Sequence, residues 1–510
     1  MRVAAGPRRA ALVALLLTSA CAHEMSARRT GPGTSTAPST PWTPPAEYAA
    51  PPPPTPPAGA APGAGGTTTG IPADLLAEAA HWTLTDLVDL ALRNAPETRI
   101  AWARARSAAA SLGAEKGAYY PTIVGQVNVS RTKASAVGGQ FTYLNTSYDP
   151  FFQINWLLLD FGGRRNEVES ARQALIAADW SHNAVIQDVV LAVQEAYYGY
   201  LDARALEAAE KVAVEEATTN LDAAERRRAS GVSTVADVLQ AKTDLSQAQL
   251  GLQTVQGQIH TIHGSLATTV GLPADTPFDV TLPIAEVPED EAAVEVARAI
   301  AEAQARRPDL AAARARVEQA AADLRARKSV FRPTLNFSTN TGRIYYNQVT
   351  SGQDTYSASA LLTIPIWNGL TYDYNVHKAK ADQDVAQATL DSLNQRVTLE
   401  VWTSYYDHQT AAQQVLTTRD LLESARQAHE VSSARYKAGV GSILDLLTAQ
   451  GALDRARALD TQARTSWFVT LARLAHATGT LGPPAAAPAG AAPGSAAPDP
   501  PVPTPEEPTR

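Results

Sequence analysis

Two periodicities alternate along this chain, and they do so twice. Apolar residues at Val189, Val193, Ala196, Tyr197, Tyr200 and Leu201 recur at steps of three and four, one face of a helix. Val397, Val401, Tyr405 and His408 repeat the pattern further on. No proline falls between Pro150 and Pro273 or between Pro365 and Pro483. Proline costs roughly 3 kcal/mol inside a helix, so these gaps suit long uninterrupted helices. Gly163 to Ser230 as one helix would span about 100 Å, and Gly369 to Ala438 gives a second of similar length. Ahead of each lie two short segments with strict alternation: Val127–Ser130 and Phe152–Trp156, then Leu335–Ser338 and Tyr356–Ala360. A period of two gives a strand one apolar and one polar face.

The chain is a tandem repeat of one large unit, 81–282 and 283–482. Between Ala229–Leu250 and Ala438–Leu459, an offset of 208 matches Gly231 to Gly439, Val232 to Val440, Asp237 to Asp445 and Leu239 to Leu447. Upstream, Pro96 matches Pro308 and Pro121 matches Pro333 at an offset of 212. Each unit runs in the same order: a helix (about Thr83 to Ala118, or Glu291 to Val330), two strands, the long helix, a tight tip and a returning helix. Gly ends the long helix at the tip, and Ser233, Thr234 or Ser442 can cap the next.

Taken singly, each alternating segment fits a half-buried soluble sheet. Together they read as four strands per chain of about 10 residues, apolar on one face and Asn, Gln, Ser or Thr on the other, the pattern of an outer-membrane β-barrel. Tyr119, Tyr120, Phe151, Phe152, Trp156 and Trp367 are candidates for interfacial girdles. No apolar run is long enough for a spanning helix. Four strands cannot close in lipid. A homotrimer would supply roughly 12 strands and set a similar number of helical strands side by side. The fold class is thus mainly α with a small β part, a long α-helical barrel continuing into a trimer-completed outer-membrane β-barrel.

Composition narrows the reading. The net charge of −8, with acidic and basic residues interspersed, argues against a nucleic-acid partner. The single cysteine, Cys21, rules out an internal disulfide. Arg2, Arg8 and Arg9 precede an apolar run from Ala10 to Leu17, giving a signal peptide over 1–20 with Cys21 at the cleavage point, as in a bacterial lipoprotein. Ala20 and Ala22 offer an alternative: ordinary cleavage after Ala22. Residues 21–80, rich in Pro, read as a tether from lipidated Cys21, and 483–510 as a disordered Pro/Ala-rich tail. His260 and His263 lie three apart with no third ligand evident, so they read as a surface pair. The Tyr pairs at 197–198 and 405–406 read as packing residues. No phosphate loop, nucleophile elbow or HExxH is present; no enzyme, cofactor or metal is expected.

On this repeat, the paired GV-x-S/T tips, and the strand-to-helix runs at 157–165 and 365–369, the chain resembles the TolC-like outer-membrane efflux channel family over about 80–482. Its start resembles the lipoprotein branch serving resistance–nodulation–division type pumps, and Ala22, rather than Asp, after the cysteine resembles outer-membrane sorting. The resemblance implies a homotrimer in the outer membrane with its helical part in the periplasm. It implies a periplasmic adaptor (membrane fusion protein) docking at the tips and an inner-membrane pump supplying energy. Carried over, the adaptor-facing turns are Gly231, Val232 and Ser233, then Gly439, Val440, Gly441 and Ser442. An acidic ring inside the entrance maps to Asp445, and a second acidic position maps to Thr448, leaving one ring. Gate contacts map to Asp237 and Tyr436, with the family's basic partner replaced by Gly441, so the resemblance leaves at most a hydroxyl–carboxylate bond there. Asp237 and Asp445 also sit in first helical turns, where a carboxylate complements the dipole. Alternatives are the exit channel of a type I protein secretion system and, in another class, a lipid-tethered periplasmic coiled-coil scaffold. The latter needs no lipid-facing strands.

Overall fold

The computed structural model describes residues 37–43, 82–136, 138, 141–280, 295–347 and 351–482. The signal peptide, Cys21, most of the tether and the tail lie outside the described residues. The first repeat contains α1 (Leu84–Asn94), α2 (Pro96–Gly117), β1 (Thr122–Ala136), β2 (Phe141–Leu159), α3 (Gly163–Ala229) and α4 (Val235–Thr269). The second contains α5 (Val296–Arg306), α6 (Pro308–Ser329), β3 (Thr334–Tyr346), β4 (Gln353–Thr363), α7 (Thr371–Lys437) and α8 (Ile443–Ala477).

The sequence expectation of one helix ahead of each strand pair is corrected: there are two. Pro96 and Pro308 occupy first helical positions, where a missing N–H costs nothing. The residue before a proline avoids the α region, and Ala95 and Arg307 are accordingly extended at ψ 130° and 125°. The long helices α3 and α7 each run 67 residues, about 100 Å. They are two rails running the length of the molecule. Beside the first half of α3 lies α2, through Ala109, Leu112 and Leu175. Across its second half α8 pairs Arg473 with Glu195 and Thr465 with Asp202. The upper layer therefore orders as α2–α3–α6–α7 and the lower as α4–α3–α8–α7. Small side chains make this possible: Ala101, Ala105, Ala109, Ala312, Ala313 and Ala315 are all buried, so backbones approach closely. The free flank of α7 is largely exposed, with Leu399, Trp402, Leu416, Leu421 and Val431 unburied.

The sheet is antiparallel in the order β1-β2-β3-β4, with both outer edges unpaired among the described residues. Register divides its faces. Ile123, Val127 and Val129 pair with Ile154, Pro150 and Tyr148 on one face. Trp156 with Phe337, then Phe337 with Ala360, extend that face. The other face carries a hydrogen-bonded polar ladder: Gln153 to Asn155, Ser338 to Asn155, Ser357 to Asn340 and Ser130 with Ser147. The strands run 15, 19, 13 and 11 residues, mostly longer than expected. The girdle assignment of Phe151 is corrected: it pairs with Gln126 and Gly342, so it faces the polar side, opposite Phe152. Trp156 donates its indole N–H to the Tyr119 carbonyl, tying the apolar face to the end of α2.

Between sheet and helices is a stapled neck. Asp160 accepts the Arg164 backbone N–H at 2.6 Å, and the Arg164 guanidinium donates to the carbonyls of Ala118 and Leu158, both at 3.2 Å. One buried guanidinium thus joins α2, β2 and α3. Phe161 and Gly162 take positive φ (50° and 101°), as do Gly369 and Leu370 (both 71°) in the second repeat, turning strand into helix.

At mid-height an ion network joins the repeats. Arg307 donates to Asp309 and Glu400, each at 2.8 Å, while His476 donates to Asp188 at 2.8 Å and faces Glu400 at 3.6 Å. Burial works against a charged His476, but Asp188 and Glu400 outweigh it and push it up to about 9. Glu400 is held below the usual range, chiefly by the hydrogen bond from His476. His476, raised, contributes stability that is fully present below its unfolded value and lost as pH rises through about 9. Glu400, lowered, contributes stability above the ordinary glutamate range and loses it as pH falls through its depressed value. Thermal unfolding between pH 6 and 10 should show wild-type stability falling, and His476→Gln should be less stable at pH 6, by on the order of 2–3 kcal/mol, with a flatter profile. A wild-type profile as flat as the variant's would show that the network carries no charge-dependent stability.

Candidate functional site at the helical tips

Both hairpin tips are closed by the same two devices. At the first, Gly231 at φ 80° ends α3, with Val232 N–H bonded to Arg227 O and Gly231 N–H to Arg228 O. At the second, Gly439 at φ 77° ends α7, with Val440 N–H bonded to Arg435 O and Gly439 N–H to Tyr436 O. This is the left-handed glycine closure of a helix C-terminus. A capping box then opens each return helix. Asp237 N–H donates to the Thr234 hydroxyl, and the Asp237 carboxylate accepts from the backbone N–H of Thr234 and the hydroxyl of Ser233, both at 2.8 Å. Asp445 N–H donates to the Ser442 hydroxyl at 3.1 Å, and the Asp445 carboxylate accepts the Ser442 N–H at 3.4 Å. The cap at the first tip is therefore Thr234. The Asp237 carboxyl is held below its ordinary range, first by the backbone hydrogen bond from Thr234.

These contacts correct one expectation. Asp237 spends its acceptors on its own tip, and the Tyr436 hydroxyl, buried, has no hydrogen-bond partner among the described residues. The hydroxyl–carboxylate link between them is not formed. Arg227 takes its place, a residue that sequence reasoning missed. Its guanidinium lies 4.4 Å from the Tyr436 ring centroid and donates to the Tyr436 carbonyl at 2.6 Å. That carbonyl is the one that closes the second tip. One side chain from the first hairpin thus clasps the turn of the second. The Arg226–Arg228 run was visible, and Arg227 aligns with Arg435 at the offset of 208, but nothing in the run says which arginine crosses over. Beneath the clasp, Tyr436, Ile443, Leu446 and Leu447 pack with Ala224, Ala241, Leu221 and Val238. Gly441 sits where a Cβ would come within 3.1 Å of the Arg435 Cβ and the Tyr436 nitrogen, so the turn leaves little room for a side chain there.

The remaining predicted residues sort by exposure. Val232 and Val440, the apices, are 71% and 69% exposed, an apolar surface uncovered in one chain. Asp445 and Thr448, three residues apart on α8, are both exposed. Asp445 is therefore both a cap and a carboxylate free to face solvent. The two histidines are not equivalent: His260 is exposed, whereas the His263 ring stacks on Phe278 at 4.3 Å and its Nε2 lies 3.1 Å from the Phe278 carbonyl. His263 is a packing residue. Tyr198 stacks on Phe468 at 5.1 Å, in line with its reading. Among the described residues no cluster of three or more His, Cys, Asp or Glu could hold a metal ion.

A family model described as outer membrane efflux protein matches residues 87–272 and 299–480, one segment in each repeat. Protein CyaE of Bordetella pertussis is 29% identical over 399 residues, covering 74% of this chain and 79% of that protein. The probable efflux pump outer membrane protein TtgC of Pseudomonas putida is 23% identical over 391 residues, covering 74% and 80%. Among solved structures, the outer membrane protein VceC of Vibrio cholerae aligns with a TM-score of 0.68 at 21% identity, covering 78% of this chain and 96% of that one. A membrane protein from Pseudomonas aeruginosa aligns with a TM-score of 0.71 at 23% identity, covering 78% and 93%. These structures share the fold.

Removing the clasp should loosen the tips without unfolding them. A cation over an aromatic ring is worth about 0.5–2 kcal/mol and a charged hydrogen bond about 1.5–3 kcal/mol. Arg227→Ala should therefore speed amide exchange in peptides spanning 436–446 at least tenfold, and Arg227→Lys should fall between. Unchanged exchange would show that the hydrophobic cluster alone holds the tips.

Proposed function

The chain belongs to the outer membrane efflux protein family, and from that membership we propose that it is the passive exit duct of a tripartite efflux pump, a homotrimer opened at its periplasmic tips by an adaptor joined to an inner-membrane pump. The observation that carries the trimer is that both layers are open at the same two flanks. The sheet ends at β1 and β4, and the helical layer ends at α2 and α4 on one side and α7 on the other. Unpaired strand edges are not tolerated in lipid, so β1 of one copy must meet β4 of the next. Three copies give a barrel of roughly 12 strands, within the range of known barrels. The exposed apolar residues along α7, Leu399, Trp402, Leu416 and Leu421, would pack in the same seam. The apolar face bearing Ile123, Val127, Val129, Phe152 and Ile154 would meet lipid, and the Asn/Gln/Ser ladder would line water. A coiled-coil scaffold gives such a face no purpose.

The tip surfaces support the gating reading. The apices Val232, next to Ser233, and Val440, between Gly439 and Gly441, offer an adaptor an apolar knob on each hairpin. Three Asp445 carboxylates converging on the axis would focus a negative potential at the entrance, and Thr448 one turn on adds no charge. The duct binds no energy source, so docking must supply the differential affinity that moves the tips.

The test is single-channel conductance in a planar bilayer, alongside native mass of the detergent-extracted protein. A trimer with small cation-selective steps, blocked from one side by divalent cations, is the expected result. Asp445→Asn keeps an acceptor for the Ser442 N–H, so it should fold normally yet lose divalent block and most cation preference. Retained block would remove Asp445 from the pore. Should the wild type conduct rarely, Arg227→Ala should raise its open probability, and silence from that inserted variant would count against a gated pore.

A further inference from the structure

The four strands carry few charged side chains, and register sorts them by face. Arg131 and Lys133 on β1 share the face of Ile123, Val127 and Val129. Arg343 on β3 and Asp354 on β4 stand opposite each other on that same face, in step with Phe337 and Ala360. The polar face carries a single charge, Asp149, opposite Asn128. Every basic residue of the strands therefore points to the apolar side. Arg343 is committed within the chain: its guanidinium lies 3.4 Å from the Asp354 carboxylate and donates to the Gly352 carbonyl at 3.2 Å. Arg131 and Lys133 are exposed and form no ion pair among the described residues. Asp354 is the one acid on this face of the strands, and Arg343 already holds it, so β4 of a neighbouring copy would bring them no free carboxylate.

Height along the strands says what these two cations meet. On β2 the apolar face runs from Trp156 to Tyr148, about 27 Å along the strand and about 21 Å across a bilayer at a tilt of about 40°. Exposed aromatics mark both limits: Trp156 at the helical end, and Tyr148 beside Tyr345 at the far end. That is an apolar band between two girdles. Arg131 opposes Thr146 and Lys133 opposes Leu144, about 5 Å and about 10 Å beyond Tyr148. The headgroup layer adds about 5–8 Å to each side of a bilayer, so Arg131 stands within it and Lys133 at its outer limit. The helices join the strands at the opposite end, in the periplasm, so this headgroup layer belongs to the outer leaflet. The outer leaflet of an outer membrane is a glycolipid that carries phosphates on its sugars. Alternate residues on a strand lie about 7 Å apart, so two long cationic side chains there can converge on one phosphate.

We propose that Arg131 and Lys133 form a binding site for a phosphate of the outer-leaflet glycolipid, one site per copy on the outer rim of the barrel. This rests on the reading of the apolar face as the lipid-facing one. Arg131 supplies forked donors to two phosphate oxygens, and Lys133 adds a point charge. The site holds the barrel at a set height in the leaflet, at the end away from the pump.

The test is native mass of the full-length, detergent-extracted protein titrated with bisphosphorylated lipid A, with its dephosphorylated form and with phosphatidylglycerol. The wild type should bind the bisphosphorylated lipid at least about tenfold more tightly than the dephosphorylated one. Arg131→Gln combined with Lys133→Gln should lose that preference, and Arg131→Lys should keep part of it. Lys378→Gln combined with Lys380→Gln, a basic pair near the start of α7, should leave it unchanged. An unchanged preference in the first double variant overturns the proposal, as does the same loss in the second. Phosphatidylglycerol bound as tightly as the bisphosphorylated lipid also overturns it, because the site would then read any lipid phosphate. The mass of the protein reports separately on assembly: a monomer counts against the duct reading, whereas a trimer without lipid preference counts against this site alone.

Discussion

A four-stranded sheet placed in lipid has two edges whose N–H and C=O groups find no water, and each unsatisfied group costs several kcal/mol. The rest of the molecule answers to that constraint. One chain cannot meet it, and in the proposed homotrimer copies of the sheet complete it, with the apolar face turned outward. The polar ladder inside, running through Asn155, Gln153, Ser338, Asn340 and Ser357, follows because the inward face then surrounds water. Nothing comparable constrains the helices, whose backbones are satisfied internally. They are free to be long and Ala-rich, and to carry exposed apolar flanks that a neighbouring copy would cover in the proposed trimer.

In the proposed trimer, matching strand to helix around one ring would create a mismatch for the neck to absorb. About 12 strands at about 4.8 Å spacing, tilted about 40°, make a ring near 24 Å across. About 12 helices at about 9 Å make one near 35 Å. The chain must therefore step outward between β2 and α3 and between β4 and α7. The left-handed residues lie at these steps: Phe161 and Gly162 in the first repeat, Gly369 and Leu370 in the second. Phe161 and Leu370 are not glycine, so the turn is held by its surroundings. Arg164 provides them in the first repeat by joining α2, β2 and α3, and Arg332 adds a bond to the Phe161 carbonyl from the second.

How much of this was legible in the sequence depends on how local the determinant is. The ends of α3 and α7 fell within two residues of the glycines that mark them, because proline and glycine act through their own φ. The tips were legible for the same reason. The breaks at Pro96 and Pro308 were visible as matched prolines, yet helical pattern on both sides ran across them, and the pattern was followed. Phe151 and Phe152 could not both face lipid, which strict alternation already implied; their shared aromatic character outweighed the period. Arg227 and the Trp42–Asn183 contact were out of reach. Each depends on contact between residues far apart in sequence, Arg227 with Tyr436 and Asn183 with Trp42, for which no local pattern codes.

The tips also constrain how any gate can work. Each hairpin end is complete in itself: the glycine closure satisfies the last carbonyls of one helix, and the capping box satisfies the first amides of the next. Melting a tip would forfeit all of these bonds at once, so opening must move whole helix pairs. Among the described residues, the interactions that resist such a movement near the tips are the Arg227 clasp on Tyr436, a cluster of small and aliphatic side chains beneath it, among them Ala224 and Ala241, and, further along α3, Glu216 with Gln450 and Arg457. The Tyr436 hydroxyl, buried in the same cluster, has no partner among the described residues of one chain, a cost that a rearrangement offering it an acceptor would relieve. In the proposed trimer, a closed state held by a few kcal/mol per chain would lie within what an adaptor docking on the exposed valines could overcome.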